Sequence, residues 1–287
     1  MRSPSGAWRS LLFFPATRPD RYEKALETGA DMVCADLEDA VARDAKGEAR
    51  ARAAELLRDG PWRAERAAIR INAVDSETGR RDLEEVTAAW AAGSHGEPLT
   101  LVIPKVSGAA DVGQVREAAR GAGITVRAIA MIESASGLEN AAAIARAPSV
   151  VALLLGAVDL AADLGCDLDW EALLYARGRV VHAAALGRVP TLDVPSLELD
   201  DPAGLAAHTR AVARLGFSGK AAIHPRQIAP IHEALAPTAE ELRRARAILD
   251  AYERAGEGVF SFEGTMVDRP VVEAARKTVH RAGDANE

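Results

Sequence analysis

The chain has 287 residues, of which 48% are hydrophobic and 27% charged, which suits one large α/β domain or two modest ones. Its net charge of −7 and the lack of a basic stripe interleaved with aromatic residues argue against a nucleic-acid partner. The apolar run Leu11–Phe14 is too short for a membrane span and lacks a signal-peptide cleavage site, so we expect a cytoplasmic protein that does not contact membranes.

Short apolar runs alternate with alanine-rich stretches along most of the chain. Apolar runs bounded by Gly or Pro are typical of strands buried on both faces, and the alanine-rich stretches repeat apolar residues at helical spacing. The predicted strands are Ser10–Pro15, Asp31–Leu37, Ala67–Asn72, Leu99–Pro104, Thr125–Ile132, Val150–Leu155, Val189–Val194 and Lys220–Ile223. The predicted helices are Asp20–Thr28, a segment ending near Arg58, Arg80–Ala91, Ala109–Arg120, Gly137–Arg146, Asp169–Ala185, Pro202–Leu215 and Arg226–Leu235.

Eight strand–helix units in succession predict a parallel sheet, and their number matches a closed (β/α)8 TIM barrel over residues 1–236. The alternative is an open doubly wound sheet, which usually carries a Gly-rich phosphate turn after its first strand. The segment Pro15–Arg18 is not such a turn, so the sequence favours the barrel. Residues 237–287 are predicted to form a C-terminal helical extension, with a long helix capped by Thr238 and a last helix after Asp268.

Charged or polar side chains follow nearly every predicted strand. They are Arg18, Glu38 with Asp39, Arg70 with Asn72, Lys105, Glu133, Asp159, Asp193 and His224. In a barrel the carboxyl ends of all strands meet at one mouth, where active sites are built. The sequence therefore predicts an active site at this mouth, with Arg18 and Lys105 among the residues that contact substrate.

Glu133 and Asp159 are predicted to end strands five and six, which are neighbours in a barrel. Two carboxylates at short distance repel each other, and one divalent cation relieves that repulsion. Oxygen ligands without a nearby His or Cys favour Mg²⁺ over Zn²⁺. The alternative is that each carboxylate caps the following helix or pairs with a cation such as Lys105. The spacing alone does not decide between these two.

Arg70 stands between two β-branched residues and is expected to point into the mouth, where its planar fork suits a substrate carboxylate. An internal ion pair with Glu38 or Asp39 is the alternative. These two acidic residues are themselves expected to hold water around the metal, or to cap the second helix.

Two lysines and a histidine complete the candidates. Lys105 and Lys220 could contact a phosphate or stabilise an enolate, and Lys105 as a Schiff base would make a metal-free aldolase. A Schiff-base lysine needs apolar surroundings, and this mouth is rich in carboxylates. His224 is a candidate base, although a lone barrel histidine more often has a structural role.

Several segments in order along the chain resemble one family, the citrate lyase β-subunit-like proteins of the HpcH/HpaI aldolase group, which includes malyl-CoA and citramalyl-CoA lyases. These segments are Ser10–Arg21, Ala35–Val41, Ile103–Val106, Ile132–Leu138, Gly156–Gly165, Gly219–Pro225 and Thr265–Pro270. The resemblance covers essentially the whole chain.

The resemblance implies a (β/α)8 barrel that assembles as a trimer or a dimer of trimers. It implies that Glu133 and Asp159 bind Mg²⁺ and that Arg70 binds the carboxylate of a 2-oxo acid. The implied substrate is a coenzyme A thioester, cleaved or formed at a carbon–carbon bond. In relatives the C-terminal segment closes over a neighbouring subunit's site and delivers an Asp, which here would be Asp268. By sequence alone, Asp268 could equally be the N-cap of the last helix.

The chain departs from the family pattern at two places. Residues 15–19 read Pro-Ala-Thr-Arg-Pro in place of Pro-Gly-Asn-Arg-Pro, and residues 133–137 read Glu-Ser-Ala-Ser-Gly in place of Glu-Thr-Ala-Arg-Gly. Contacts to the substrate or to coenzyme A are therefore expected to differ. Three other functions stay open: the acyl lyase subunit of a multi-subunit citrate lyase, a malyl-CoA thioesterase and a non-catalytic scaffold.

Overall fold

The computed structural model describes residues 8–93, 95–256 and 259–284. The chain divides into two compact units, Met1–Ile231 and His232–Glu287, a few residues before the expected domain boundary. The strands of the first unit are β1 (Ser10–Pro15), β2 (Met32–Asp36), β3 (Ala67–Arg70), β4 (Leu99–Ile103), β5 (Val126–Ile132), β6 (Val150–Leu155), β7 (Thr191–Asp193) and β8 (Gly219–Ala222).

These strands form a closed parallel barrel in the order β1 to β8. The barrel closes where β1 pairs with β8, with Ser10 opposite Lys220. The predicted (β/α)8 barrel is therefore confirmed, and the open doubly wound sheet is excluded. Closure brings the carboxyl ends of all the strands to one face, as the barrel geometry requires.

The helices that surround the barrel begin and end close to the predicted positions in most units. They are α1 (Arg21–Glu27), α2 (Lys46–Asp59), α3 (Glu77–Ala92), α4 (Ala109–Gly121), α5 (Ala135–Glu139), α6 (Ala141–Ala145), α7 (Ala157–Leu164), α8 (Leu174–Gly187), α9 (Pro202–Leu215) and α10 (Ile228–Leu235). Two predictions were wrong in detail. The helix expected at 137–146 is two short helices that meet at Asn140, and α7 intervenes between β6 and α8.

Side chains alternate between the inside of the barrel and the helices, as the two-residue period of a strand requires. One interior cluster contains Leu11, Met32, Cys34, Ala68, Val102, Ile129, Met131, Ala152, Leu154, Leu192 and Ala221. Because this cluster fills the barrel, the mouth lies above a packed apolar floor. The same alternation directs Asp36, two residues after Cys34, and Arg70, two residues after Ala68, to the inner side.

The second unit contains α11 (Ala239–Arg254), a hairpin of β9 (Phe260–Phe262) and β10 (Thr265–Val267), and α12 (Arg269–Asp284). Thr238 caps α11 in a reciprocal capping box with Glu241, as the sequence predicts. A small apolar cluster that includes Ile248 and Val272 joins α11 to α12. Among the described helices of the whole chain, none is both long and apolar enough to cross a membrane.

Candidate active site

A cavity of about 470 Å³ opens at the carboxyl ends of the barrel strands. Its wall is mostly apolar, and its charged lining residues are Asp36, Asp39, Arg70, Glu133 and Asp159. These side chains come from the ends of β2, β3 and β5 and from the loop and helix that follow β2 and β6. The mouth therefore brings four carboxylates and one guanidinium to a single cavity.

Glu133 directly follows β5, and its side chain is only 5% exposed. The backbone amide of Lys105 donates a hydrogen bond to its Oε1 at 2.7 Å. Burial raises the pKa of Glu133 to about 7, the Lys105 amide opposes this, and the charge of Asp159 raises it further. A buried carboxylate with a like-charged neighbour is a group that a bound cation would stabilise.

Asp159 does not end a strand, and that part of the prediction was wrong. It is the third residue of α7, whose N-cap is Gly156. A carboxylate in the first turn of a helix is stabilised by the positive end of the helix dipole. Asp159 nevertheless lines the same cavity as Glu133, because α7 begins immediately after β6.

The close approach of α7 to Glu133 depends on Gly156. A Cβ atom built on Gly156 would lie 2.3 Å from Oε2 of Glu133 and 2.5 Å from its Cβ. Any side chain at this position would therefore displace the glutamate. The sequence analysis did not identify this residue, although the Gly directly after an apolar strand was a usable signal.

Glu133 and Asp159 fit a Mg²⁺ site. They supply oxygen donors only, and within the described residues no three or more His, Cys, Asp or Glu side chains group as a metal cage. Mg²⁺ typically takes one or two protein carboxylates and completes its coordination with water and substrate. Burial and the charge of Asp159 raise the pKa of Glu133, and a divalent cation between the two carboxylates would oppose both effects.

Arg70 is held by three carboxylates. Its Nε and Nη2 donate to Oδ1 and Oδ2 of Asp36 at 2.7 and 2.6 Å. Its Nη1 donates to Oδ2 of Asp39 at 3.1 Å and lies 3.2 Å from Oε2 of Glu38. The guanidinium also stacks over Phe13, 4.8 Å from the ring centre. The ion pairs expected as the alternative are thus present, while the guanidinium still lines the cavity.

Asp36 is the functional candidate that the sequence analysis missed. It lies opposite Arg70 in the register of β2 with β3, is completely buried and accepts the backbone amides of Glu38 and Ala40 at 2.9 Å. The signal was available, because Met32 and Cys34 place Asp36 on the inner face at the end of the same strand. The bidentate pair fixes the orientation of the guanidinium.

Glu38 and Asp39 differ in environment. Glu38 is buried, and burial raises its pKa to about 8, while Arg70 opposes the shift and nearby carboxylates increase it. Its Oε2 pairs with Nη1 of Arg70 at 3.2 Å, although the two atoms do not form a hydrogen bond of good geometry. The Asp39 side chain is 67% exposed. Neither caps the second helix, since the N-cap of α2 is Ala45 without a side-chain hydrogen bond.

The other candidates lie apart from the cavity lining. Arg18 forms an exposed two-point pair with Asp20, with both hydrogen bonds at 2.8 Å. The Lys105 ammonium lies 3.9 Å from Glu38. His224 accepts the backbone amide of Arg226 at 3.1 Å and thereby caps a short 3₁₀ turn, the structural role that the sequence left open.

Asp268 lies in the second unit, just before α12. Its Oδ1 accepts the backbone amide of Val271 at 3.3 Å. This contact is the helix-capping role that the sequence analysis kept as an alternative.

Two family models match the chain. The model described as HpcH/HpaI aldolase/citrate lyase matches residues 9–225, and that of a C–C bond lyase of the TIM-barrel fold matches residues 194–283. A citrate lyase subunit beta-like protein of Deinococcus radiodurans is 37% identical over 96% of this chain and 98% of its own length. The mitochondrial citramalyl-CoA lyase of Rattus norvegicus is 30% identical over 97% of this chain and 87% of its own length.

Solved structures give the same result. The structure of CitE from Mycobacterium tuberculosis in complex with magnesium, acetoacetate and coenzyme A has a TM-score of 0.83 and 37% identity, covering 96% of this chain and 98% of that one. The citrate lyase beta subunit from the same organism, complexed with oxaloacetate and magnesium, has a TM-score of 0.68 and 35% identity, covering 80% and 98%.

Proposed function

Since this chain belongs to the HpcH/HpaI aldolase/citrate lyase family, we propose that it is a Mg²⁺-dependent lyase that breaks or forms a carbon–carbon bond in a 3-hydroxyacyl-CoA. The observation that carries this proposal is the single cavity lined by Glu133, Asp159 and Arg70. It combines a carboxylate pair suited to the metal with a cation suited to a substrate carboxylate.

Glu133 and Asp159 would hold the metal, as the magnesium bound in the tuberculosis structures supports. When bound there, Mg²⁺ would polarise the substrate hydroxyl and carboxylate oxygens and lower the pKa of the hydroxyl. The Lys105 amide holds Glu133 in place from one side, and the absence of a side chain at Gly156 leaves room for it on the other.

Arg70 would bind the carboxylate of the 2-oxo acid. Its Nε–Nη2 edge is occupied by Asp36, so the Nη1 side remains for the substrate. There the substrate carboxylate would compete with Asp39, whose exposed side chain can move into solvent. Because Asp36 fixes the guanidinium, the substrate meets a preorganised donor.

Cleavage breaks the bond between the carbinol carbon and the carbon next to the thioester carbonyl. The hydroxyl group loses its proton and becomes the carbonyl of the 2-oxo acid, while the electron pair remains on the acetyl-CoA carbon as an enolate. Protonation of that carbon completes acetyl-CoA, and the reverse reaction begins with loss of the same proton. Glu38 and Asp39 would act in this reaction through Arg70, with which they pair at 3.2 and 3.1 Å.

The charges of the cavity favour a substrate with one free carboxylate. Arg70 is the one cationic side chain among the described residues that line it, and the remaining lining is apolar or acidic. A second free carboxylate would meet apolar or acidic side chains unless the bound Mg²⁺ compensates its charge. The cavity therefore favours malyl-CoA or citramalyl-CoA, and a citryl thioester would depend on the metal for its second carboxylate.

A panel of malyl-, citramalyl- and citryl-CoA tests the proposal, assayed with and without Mg²⁺ and with products identified by mass spectrometry. We expect Mg²⁺-dependent release of glyoxylate or pyruvate, abolished in both Glu133→Ala and Asp159→Ala. Unchanged turnover in these variants would overturn the proposal. Malate as the product would identify a thioesterase, and turnover of a citryl group only on a carrier protein would identify a citrate lyase subunit.

We further propose that the protein is cytoplasmic and forms a homotrimer or hexamer in which Asp268 of one subunit supplies the proton at the site of a neighbour. The implied closure of the C-terminal segment in relatives supports this. Mixed oligomers of Glu133→Ala and Asp268→Asn chains test it, because some sites would then contain both intact residues. We expect the mixture to regain part of the activity that each variant alone lacks, and no recovery in mixed oligomers would exclude a shared site.

A further inference from the structure

A second cavity, of about 360 Å³, lies between the barrel wall and helices α8 and α9. Val158, Val194, Pro195 and Leu197 form a wall that it shares with the active-site cavity. Among the described residues, three basic side chains line it: Arg177 from α8, His208 from α9 and Lys220 from β8. None of these has a role in the proposed reaction.

The buried side chains around this cavity include two basic groups and one carboxylate; burial lowers the pKa of Lys220, and a bound anion would oppose that shift. Arg177 is 3% exposed and Lys220 is 1% exposed, and among the described residues Asp193, which is completely buried, is the one carboxylate that pairs with both. Lys220 Nζ donates to Oδ2 of Asp193 at 2.5 Å, and Arg177 Nε lies 3.5 Å from its Oδ1. Burial lowers the pKa of His208 to about 4, so at neutral pH the imidazole is uncharged and adds nothing to the net charge of the cluster.

The hydrogen bonds of the cluster are also incomplete. Nε and Nη1 of Arg177 are buried without a hydrogen-bond partner, and so is Oδ1 of Asp193, which lies 3.5 Å from Nε. His208 places Nδ1 3.2 Å from Lys220 Nζ and Nε2 3.4 Å from Arg177 Nη2. A neutral imidazole has one acceptor nitrogen, so it accepts from only one of these two cations and presents an N–H to the other. Once Nε is matched with Oδ1 of Asp193, Nη1 of Arg177 is left as a buried donor without an acceptor.

A buried cation with unmet donors is costly unless an anion or a polar group compensates it. We propose that this cavity binds a small oxyanion, either phosphate or a short carboxylate, held by Arg177 and Lys220. Such a ligand supplies negative charge beside the two basic groups and accepts the unmet hydrogen bond. Two oxygens of a carboxylate or of a phosphate can accept the paired N–H groups of the guanidinium.

The rim of the cavity limits what can enter. Asp169, Glu198 and Asp201 line it, and all three are exposed to solvent. Asp169 and Asp201 already accept backbone amides, from Ala172 and Gly204 respectively. Water and salt screen the charges of these three carboxylates, whereas the charges of the buried Arg177 and Lys220 are screened much less. The site therefore suits a compact anion that passes the acidic rim and loses its water shell beside Arg177 and Lys220.

Trp170 offers a local probe of occupancy. Arg177 lies 5.0 Å over its ring, and His208 packs edge-on against it at 5.5 Å. Titration of the full chain with inorganic phosphate and with acetate, in saturating Mg²⁺ and at constant ionic strength, should change the Trp170 fluorescence in a saturable manner. Trp170→Phe should remove this signal, and the relative affinity of the two probes identifies the preferred oxyanion.

Arg177→Met should weaken binding by at least about tenfold, while Arg210→Met, on the exposed face of α9, should leave it unchanged. Circular dichroism checks that each variant folds. If Arg177→Met does not fold, Leu168 provides a test on the surface, because it lines the cavity and is 49% exposed. Leu168→Glu should weaken binding by repulsion, and Leu168→Gln should not.

Two results would overturn the proposal. One is the absence of a saturable response to both phosphate and acetate in the wild-type protein. The other is that the oxyanion binds equally well to Leu168→Glu and Leu168→Gln, and also equally well to Arg177→Met and Arg210→Met. If Arg177→Met does not fold, equal affinity in the two Leu168 variants is sufficient to overturn it.

Discussion

The backbone amide of Lys105 donates a 2.7 Å hydrogen bond to Oε1 of Glu133, although the two residues lie 28 positions apart. Lys105 adopts a φ of 53°, a left-handed conformation that is uncommon for any residue except glycine. Its side chain is 53% exposed. Lys105 therefore contacts Glu133 through its main chain, and the expected contact of its side chain with substrate stays a prediction.

Lys105→Gly should fold at least as stably as the wild type, because glycine adopts positive φ without steric cost and retains the amide. Lys105→Val removes the same side chain but adds a β-branched residue in the left-handed region, and it should cost about 1–3 kcal/mol. Urea unfolding of both variants measures the difference. Equal stability of the two would show that the backbone at Lys105 is not strained.

Gly156→Ala should lower the free energy of unfolding by about 1–3 kcal/mol, because the added methyl group overlaps the Glu133 side chain. It should also weaken Mg²⁺ binding, since the carboxylate must shift. Gly113→Ala in α4 is the matched control, because a Cβ there meets nothing within 4 Å. Calorimetric titration with Mg²⁺ and urea unfolding measure the two effects. Identical behaviour of both alanine variants would contradict the tight packing.

Glu133 should make the metal-free protein less stable as pH rises. Its pKa is raised from 4.5 to about 7 in the folded state, chiefly by burial, so the fold binds more protons than the unfolded chain between these values. Stability is then lost as pH rises through this window, by about 1–3 kcal/mol. Glu133→Gln should lack this part of the pH dependence.

Urea unfolding at pH 5 and pH 8 in a chelator measures the effect. Because the charge of Glu133 also raises the pKa of Glu38, the variant should lose part of the Glu38 contribution as well, which acts in the same direction. Mg²⁺ affinity of the wild type should increase over the same range, because protons compete with the metal for Glu133. An identical pH dependence in the wild type and in Glu133→Gln would refute this account.

Asp36→Asn should strongly destabilise the protein, by about 3–5 kcal/mol, because it leaves the buried Arg70 without its two-point partner. In protein that remains folded, the KM for the 2-oxo acid should rise, because the guanidinium is no longer oriented. Asp20→Asn breaks a pair of the same geometry with Arg18 on the surface, where water screens the charges, and it should leave the free energy of unfolding nearly unchanged. Similar losses in the two variants would contradict the difference in burial.

The barrel itself was predictable from sequence, because apolar runs of strand length and alanine-rich helical stretches are local patterns. The inward direction of Arg70 and the placement of Glu133 at a strand end follow from the same local rules. The family resemblance added the metal and the substrate class. The roles of the individual site residues are predictions that the experiments above test.

Asp36, Gly156 and the main chain of Lys105 were recognised only in the tertiary structure. Each acts on a residue far along the chain: Asp36 on Arg70 through the register of two strands, and the other two on Glu133. A local pattern indicates the face on which a side chain lies, but the partner across the barrel depends on strand register, barrel closure and the path of the following helix. For the same physical reason, the cluster of Arg177, Lys220 and Asp193 became visible only when α8, β7 and β8 were packed together.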